Sequence, residues 1–584
     1  MQLFSKLMNC FPWRRRPSLS GRESAAEACG AGSGAPPSVL SDQNWVRLGY
    51  VVLAAVFLGR LAFLASGRIE LSKDEAYQWL WSKHLALSYY SKPPMIAYTQ
   101  WLGTMIFGDT AFGVRFFSPV IGTALALLLL RWMARLAGGR TAFWLVVVLQ
   151  ATPLIAVGMT LLTVDPLVVL FWTVAMMAGW RALQPNSTVW HWLGVGLAMG
   201  LGFLSKYNAL YQVVCWAIFF ALWPPARRQL RRPGPWLALL PLSLCTLPVL
   251  VWNAQHHWIS LEHVSVNAEL HNKWQPTMRF FWEFIGAEIG LLNPVFLVAA
   301  FWAVAKYRTW RPQREDCPGR DPRQPRAVLM LYLFCMGAPV FFGHWLYTFH
   351  SRVQPNWIAP AVVPMFCLMV LYWDHRWREG ARAVRTWLMG GLILGFVAAA
   401  VLHGPELVGA VVGKPLPPDK DPLRRVRAWK ETAAVVSAAR DTLLAEGKPV
   451  FVVAHHYGVT GLLSFYMPEA RINLSTKPLV YSVLGSLPEN QLYFWPEYRY
   501  KDFRTGQNAL FVVEVDVPQY SMKAWFDSLF TGAPEPPPAD PQPEPVAWMV
   551  QKDFDSVTDL GVRPVLYHGR IYRWVQLLEC RNLH

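Results

Sequence analysis

The chain contains 584 residues, of which 54% are hydrophobic and only 16% are charged. A soluble domain has about 25% charged residues, so this chain has too few to cover several globular surfaces with water-facing groups. The composition excludes a string of soluble domains and predicts a polytopic membrane protein.

The formal net charge of +17 is unevenly distributed along the chain. Residues 1–403 contain 35 Lys and Arg against 17 Asp and Glu, whereas residues 404–584 contain 19 against 20. A nucleic-acid-binding protein would present a basic face on a soluble module, but here the basic excess lies in the apolar part. The distribution argues against a nucleic-acid partner and reflects membrane topology, with membrane lipids as the surroundings.

Eleven apolar stretches are long enough to cross a bilayer, which takes about 17–25 residues each. With a cytoplasmic amino terminus, the inside segments contain 24 Lys and Arg and the outside loops contain about eight. Positive residues are enriched on the cytoplasmic side, so the sequence predicts a multi-pass inner (plasma) membrane protein whose carboxy-terminal region is periplasmic. The predicted spans are residues 45–66, 114–136, 141–158, 161–182, 189–204, 207–223, 236–252, 280–304, 327–347, 356–373 and 384–403.

The spans divide the chain into three predicted domains. Residues 1–44 have a Gly/Ala/Ser/Pro-rich stretch and no apolar core, which is typical of a disordered cytoplasmic tail. Residues 45–403 form the predicted transmembrane domain, with long outer loops at residues 67–113 and 253–279. Residues 404–584 have ordinary globular composition and form the predicted periplasmic domain.

The carboxy-terminal region has the pattern of an α/β fold. Apolar runs at residues 449–454, 509–515 and 571–575 predict buried strands, and residues 425–445 predict a helix. The absence of a phosphate-binding loop or catalytic triad from its sequence favours a lid or docking module. The predicted fold is a polytopic α-helical membrane protein of about eleven transmembrane helices with a C-terminal extracytoplasmic α/β domain.

The first long loop, residues 67–113, has the most informative sequence. Ser72 and Glu75 have the spacing of a helix capping box, and the aromatic-rich residues 76–81 that follow suit a helix lying along the membrane surface. Lys92 precedes two prolines, which hold it in an extended conformation. Two acids, Asp74 and Glu75, and one lysine are therefore predicted at the membrane surface directly after the first span.

The order of motifs resembles the GT-C glycosyltransferases, in particular bacterial members of the protein O-mannosyltransferase and lipid A aminoarabinose transferase group (glycosyltransferase family 39-like). The motifs are Asp-Glu-Ala-Tyr at residues 74–77, Tyr-Tyr-x-Lys-Pro-Pro at 89–94, Phe-Gly-Val-Arg at 112–115, Leu-Thr-Val-Asp-Pro at 162–166 and Gly-Leu-Gly-Phe-Leu-Ser-Lys-Tyr at 200–207. The resemblance implies an inverting transfer of a sugar from a polyprenyl-phosphate donor to a lipid, glycan or protein acceptor, on the outer face of the membrane. It also implies that Asp74 is the catalytic residue.

The chemistry of this reaction explains the residue types independently. The leaving lipid phosphate is stable as an anion, so the reaction needs a carboxylate to take the acceptor's proton rather than a general acid. Cations are needed to hold the phosphate as its charge grows. Asp74 suits the first role and Lys92 the second, and the further candidates for phosphate binding are Arg115, Lys206 and Arg352.

Three residues have two interpretations each. Glu75 either assists Asp74 in catalysis or caps its helix. Asp165 either serves as the N-cap before Pro166 or contacts substrate. Arg60, deep in the first span, either extends its side chain to the interface or faces the catalytic cavity.

The second long loop is rich in histidine and carboxylate, which suggests a metal site. In the aminoarabinose transferases the resemblance implies a metal held partly by an acid immediately before Lys-Pro-Pro, and here that position is Ser91. The sequence therefore predicts no metal and no cofactor. The residues concerned are His256, His257, Glu262, His263, Glu269 and His271.

Two other functions compete with a transferase of this kind. A secondary transporter usually has paired internal repeats and charged, broken helices at mid-membrane, and the sequence has no detectable repeat. An enzyme resembling an O-antigen ligase or polymerase would use a related lipid-phosphate donor, and the sequence leaves this alternative open.

Overall fold

The computed structural model describes residues 40–307, 326–485, 487–515, 518–532 and 538–584. The predicted tail at residues 1–44 therefore lies almost entirely outside the described residues. Within these ranges the chain is mostly helical, and its few strands all lie in the carboxy-terminal third.

The helical part begins at Asp42 and consists of many consecutive helices. Of the described residues, seven helices are long and apolar enough to cross a membrane, or up to nine if each of two bent pairs counts as one span. The helices before residue 404 are Asp42–Ala65, Lys73–Lys83, Met95–Phe107, Ala111–Arg115, Phe117–Ala137, Gly139–Gln150, Pro153–Gly158, Val164–Ala182, Val189–Ser205, Tyr211–Leu222, Pro224–Arg227, Pro233–Leu237, Leu239–Gln255, Ile259–Asn267, Arg279–Leu292, Pro294–Tyr307, Arg326–Tyr347, Ala359–Arg378 and Arg382–His403.

Proline explains where predicted spans are interrupted. The predicted span at 141–158 ends its first helix at Gln150, and Pro153 starts the next one, because proline lacks the N–H that would continue the hydrogen-bond ladder. The predicted span at 280–304 is bent by 104° between Leu292 and Pro294. Asn293 makes that bend with a φ of 70°. The count of eleven spans stays a prediction.

The spans differ in how much of their surface faces other protein. In the helix that ends at Arg378, 89% of the most apolar window is buried, whereas the figure is 22% for both Asp42–Ala65 and Arg382–His403. The first of these helices is therefore central, and the other two present most of their apolar surface outward, as lipid-facing helices do.

The carboxy-terminal region contains one mixed sheet of five strands in the order β2-β1-β3-β5-β4. The first three in this order are parallel, and β5 pairs antiparallel with both β3 and β4. The strands are β1 (Val450–Ala454), β2 (Val480–Ser482), β3 (Asn508–Glu514), β4 (Phe554–Tyr567) and β5 (Arg570–Leu583). The helices of this region are Glu406–Val412, Trp429–Leu444, Tyr457–Tyr466, Tyr500–Phe503 and Met522–Thr531.

The strands predicted from continuous apolar runs correspond to β1, β3 and β5. β2 was not predicted because it has only three residues, and β4 was not predicted because most of its side chains are exposed or half-buried, without a regular apolar alternation. The helix predicted from residue 425 begins at Trp429. Ala428 precedes it with a φ of 64°, and Glu70 of the first loop accepts a hydrogen bond from the Trp429 N–H.

One face of the sheet shares an apolar core with the first loop. Trp79 and Leu80 of helix Lys73–Lys83 belong to the same buried cluster as Leu462, and as Val452 and Leu510 of the sheet. The Trp79 ring also contacts the edge of the Phe465 ring at 4.9 Å. The first loop therefore forms part of the core on which the sheet packs.

The loop helix Lys73–Lys83 and helix Tyr457–Tyr466 approach each other closely at Gly461. A Cβ atom there would lie 2.7 Å from the Tyr77 nitrogen and 2.8 Å from the Ala76 carbonyl carbon. Backbone atoms cannot move aside as a flexible side chain can, so only glycine fits between the two helices without a shift.

We expect Gly461→Ala to destabilise the protein by about 1–3 kcal/mol, the usual cost of overpacking a close contact. The measurement is thermal unfolding of the purified protein in detergent, where the variant should unfold at a lower temperature. Gly390→Ala is the matched control, because a Cβ at Gly390 meets no atom within 4 Å. Equal unfolding temperatures for Gly461→Ala and the control would contradict the close packing of these helices.

Candidate active site

Helix Lys73–Lys83 begins with the capping box predicted from the sequence. The Ser72 hydroxyl accepts a hydrogen bond from the Glu75 N–H at 3.3 Å, and Glu75 Oε2 accepts one from the Ser72 N–H at 3.0 Å. The box satisfies two of the free N–H groups at this helix end. It also fixes the direction in which Asp74, in the first turn, leaves the helix.

Glu75 makes a second, stronger set of contacts with Arg115. The Arg115 Nε and Nη2 atoms donate to Glu75 Oε1 and Oε2, both at 2.7 Å, and both side chains are essentially fully buried. The Leu162 N–H also donates to Glu75 Oε1, at 3.1 Å. Burial by itself raises the pKa of Glu75. The charge of Arg115 and the hydrogen bonds from Arg115 and Ser72 lower this pKa by more than burial raises it, so the net shift is downward. Glu75 is therefore an ionised structural anchor in this arrangement.

Asp74 has a different environment from its neighbour. Its side chain is exposed, and among the described residues no group donates a hydrogen bond to it. Enough protein surrounds it, however, that burial raises the pKa of its carboxyl. The charge of Lys92 lowers this pKa, and the charge of Glu75 raises it by a smaller amount than burial does. The charges of Lys92 and Asp165 act on Asp74, and the charges of Lys206, Asp165 and Asp74 act on Lys92. We call this group of four charged side chains, Asp74, Lys92, Asp165 and Lys206, the recess.

Lys92 faces the same recess. Among the described residues no carboxylate lies within ion-pair distance of its ammonium group. Burial lowers the pKa of Lys92, as does the charge of Lys206, while Asp165 and Asp74 raise it. The neighbouring Tyr90 N–H donates to Gln491 Oε1 at 2.7 Å, so the carboxy-terminal region helps to hold this segment in place.

Lys206 and Asp165 form an ion pair, and the charges of both act on Lys92. Lys206 Nζ lies 2.7 Å from Asp165 Oδ1, and the Asn356 amide donates to Asp165 Oδ2 at 2.6 Å. Lys206 has extended backbone at the end of helix Val189–Ser205. Thr163, rather than Asp165, is the N-cap of helix Val164–Ala182, and its hydroxyl accepts the Asp165 N–H. The carboxylate of Asp165 is thus free to bind Lys206.

Two predicted phosphate ligands lie apart from the recess. Arg115 is 1% exposed and also donates to the carbonyl oxygens of Ile69 and Glu70, so its guanidinium is fully used in holding the first loop. The Arg352 side chain is 71% exposed and lies 3.8 Å from Glu283. Within the described residues, the hydrogen bonds and ion pairs of Arg115 and Arg352 are made with residues other than Asp74 and Lys92.

The carboxy-terminal region, predicted from the sequence as a lid or docking module over the membrane cavity, places individual side chains near Asp74 that the sequence did not single out. The Tyr457 ring lies 4.4 Å from that of Tyr77, and burial followed by the charge of Asp74 raises the pKa of the Tyr457 hydroxyl. Arg425 also acts on Asp74 electrostatically. Neither residue belongs to a motif, and Asn356 likewise had no signal beyond its position after a proline.

Two histidines of the second long loop, His256 and His263, contact aromatic rings. His256 stacks on Trp252 with ring centroids 3.9 Å apart, and His263 lies 4.6 Å from the Tyr90 ring. Burial and the charge of Lys92 lower the pKa of His263 to about 4. Within the described residues no three His, Cys, Asp or Glu side chains come together in a way that would hold a metal ion.

Comparison with known sequences gives consistent matches. Residues 91–252 match the family described as dolichyl-phosphate-mannose-protein mannosyltransferase. The chain is 30% identical over 344 residues to the lipid A galacturonosyltransferase RgtD of Rhizobium johnstonii, covering 58% of this chain and 68% of that protein. It is 27% identical over 398 residues to an undecaprenyl phosphate-alpha-4-amino-4-deoxy-L-arabinose arabinosyl transferase of Edwardsiella ictaluri, covering 63% of this chain and 67% of that protein.

Comparison with solved structures identifies the fold. The crystal structure of ArnT from Cupriavidus metallidurans in the apo state is similar with a TM-score of 0.53, covering 92% of this chain and 98% of that one at 14% identity. The same protein bound to undecaprenyl phosphate gives a TM-score of 0.54, covering 91% and 98%. The expected GT-C fold is thereby confirmed. With its lipid A galacturonosyltransferase relative, this chain belongs to the GT-C family of polyprenyl-phosphate-sugar glycosyltransferases.

Proposed function

We propose that this inner-membrane glycosyltransferase moves a sugar from a polyprenyl-phosphate donor to lipid A, with inversion at the anomeric carbon. The observation that carries the proposal is the recess, in which Asp74 and Lys92 act on each other electrostatically and, within the described ranges, neither side chain has a hydrogen-bond or ion-pair partner. The names of the relatives support the donor class and the acceptor. They favour this function over a secondary transporter or an O-antigen ligase.

In the proposed reaction, Asp74 is the general base. An acceptor hydroxyl attacks the anomeric carbon of the donor sugar and its proton passes to Asp74, while the bond between that carbon and the phosphate oxygen breaks. The leaving polyprenyl phosphate keeps the bonding electron pair. The raised pKa of Asp74 suits this role, because a more basic carboxylate accepts a proton more readily.

Lys92 is the proposed cation for the leaving phosphate. Within the part of the chain that the structure describes, no carboxylate pairs with the Lys92 ammonium group at close range, so its charge is available to a ligand. Lys206 contributes at longer range and, with Asn356, holds Asp165 in place. The sequence-based assignment of Arg115 and Arg352 to the phosphate is not part of this proposal, since their contacts lie elsewhere.

We expect Asp74→Asn to reduce turnover by about 10²–10⁴-fold, the usual contribution of a general base, without lowering the unfolding temperature. Glu75→Gln should instead lower the unfolding temperature, because loss of one partner from a buried ion pair costs about 3–5 kcal/mol. The measurements are sugar transfer by purified variants, with both a galacturonosyl and an aminoarabinosyl polyprenyl phosphate as donors, and thermal unfolding. Near-normal turnover by Asp74→Asn would contradict the proposed function.

The pH dependence tests Lys92 separately. Asp74 must be deprotonated to act, and Lys92 lowers its pKa, so Lys92→Met should raise that pKa. The fall in kcat/KM on acidification should therefore begin at a higher pH in the variant than in the wild type. Lys83→Met is the matched control, because Lys83 lies in the same loop but pairs with Asp109 at 2.6 Å. An unchanged acid limb in Lys92→Met would show that Lys92 does not face Asp74.

We also propose that the recess and residues 404–584 lie on the periplasmic side. The excess of Lys and Arg in the segments assigned to the inside supports this orientation.

In a variant without the eight native cysteines, single cysteines at Asn267 and Ser521 should react with an impermeant thiol reagent in intact spheroplasts. A cysteine at Asn186 should react only after the membrane is permeabilised. All three positions are exposed or adjoin exposed residues, so differences in labelling report sidedness. Labelling of Ser521→Cys only after permeabilisation would reverse the proposed orientation.

A further inference from the structure

Arg60 is a buried arginine in the first apolar helix, and its side chain contacts a neutral amide. Its side chain donates from Nη2 to Gln150 Oε1 at 2.9 Å, and the residue is 9% exposed. Among the described residues, no carboxylate pairs with the Arg60 guanidinium, and its Nε and Nη1 atoms donate to no acceptor. A charged group at membrane depth is costly unless it has a partner, and within the described part of the chain the recorded polar partner of this guanidinium is the neutral Gln150 amide, so an anionic ligand would stabilise it.

The guanidinium borders a cavity of about 290 Å³. Arg60, Gln150 and His403 form the polar end of its lining, and Val56, Phe63 and Phe396 are among the apolar walls. The His403 ring atoms are already engaged, Nδ1 with the Ala399 carbonyl and Nε2 with the Thr160 hydroxyl. Arg60 is thus the group of this lining with charged donors left over for a ligand.

Glycine at position 122 leaves room for the guanidinium. A Cβ atom there would lie 3.1 Å from Arg60 Nη1 and 2.7 Å from the Met159 Cβ atom. The guanidinium is therefore positioned by the Gln150 amide on one side, and it packs against Gly122, where a larger residue would not fit without a shift.

The polar residues of the cavity lie at or near the carboxy-terminal ends of their helices. Arg60 is five residues before the end of helix Asp42–Ala65, which corresponds to about 8 Å along the helix axis. Gln150 and His403 are the last residues of their helices. These ends are on the same side of the membrane as Asp74, because the first loop begins where the first helix ends.

The cavity opens on the lipid-facing side of the protein. Gly59 and Phe396, both in its lining, are exposed, and they belong to the two least buried spanning helices. None of the four recess residues lines it. The sequence interpretation that Arg60 faces the catalytic cavity is therefore not what the structure describes: Arg60 faces a separate, lateral one.

We propose that this cavity is a second lipid site, which binds the phosphate of an anionic lipid from the adjacent leaflet through Arg60. Arginine binds phosphate with two parallel hydrogen bonds, and Gln150 orients its planar group while the apolar walls contact the lipid chains. A glycerophospholipid and a phosphorylated lipid acceptor share this chemistry. The inference concerns lipid binding alone and does not depend on the proposed reaction.

The test is native mass spectrometry of the delipidated full-length protein, titrated with phosphatidylglycerol, with lipid A or with diacylglycerol, which has no phosphate. We expect one phosphatidylglycerol to bind preferentially over diacylglycerol, and Arg60→Gln to weaken it tenfold or more. Arg47→Gln is the control, because it removes the same charge from an exposed position on the same helix. If lipid A displaces phosphatidylglycerol and is weakened by the same substitution, the acceptor is the natural ligand; if it does not, a membrane phospholipid is.

Gly59→Leu keeps the test decisive if Arg60→Gln folds poorly. A Cβ at Gly59 meets no atom within 4 Å, so leucine should be accepted by the helix while it narrows the mouth of the cavity. It should weaken phosphatidylglycerol binding as Arg60→Gln does. Wild-type binding by both variants, or equal binding of diacylglycerol, would overturn the proposal.

Discussion

The buried ion pair between Glu75 and Arg115 is the interaction on which the arrangement of the recess depends. Glu75 also accepts hydrogen bonds from Ser72 and from the backbone of Leu162, and Arg115 also donates to two carbonyl oxygens of the first loop. One carboxylate thus joins the start of the loop helix, the start of the next span and the segment that leads to Asp165. Since both charges are removed from water, neither partner tolerates the loss of the other.

The two adjacent acids of the first loop differ because a helix points neighbouring side chains about 100° apart. Glu75 faces inward to Arg115, and its pKa is lowered overall; Asp74 faces the recess, and burial raises its pKa. A rigid ionised acid therefore supports a neighbouring acid that is free to take a proton. Asp165 resembles Glu75 in this respect, because Lys206 and Asn356 bind its carboxylate and fix its position in the recess.

The carboxy-terminal sheet takes part in this arrangement through the first loop. Glu70 caps helix Trp429–Leu444, and the Tyr77 hydroxyl accepts a hydrogen bond from the Gln491 N–H at 2.6 Å. Lys73 pairs with Glu514 at the end of β3. The loop that carries Asp74 therefore contacts both the sheet region and the start of the second span.

The sequence by itself determined what local patterns encode. Apolar runs predicted the seven long apolar helices of the described residues and the strands β1, β3 and β5, the spacing of Ser72 and Glu75 predicted the capping box, and the motif order predicted the family. Only the tertiary structure decided which charges meet. The Glu75–Arg115 pair, the Asp165–Lys206 pair and the separate cavity at Arg60 join residues 40 to several hundred positions apart, and contacts at such separation depend on how helices pack, which no local pattern records.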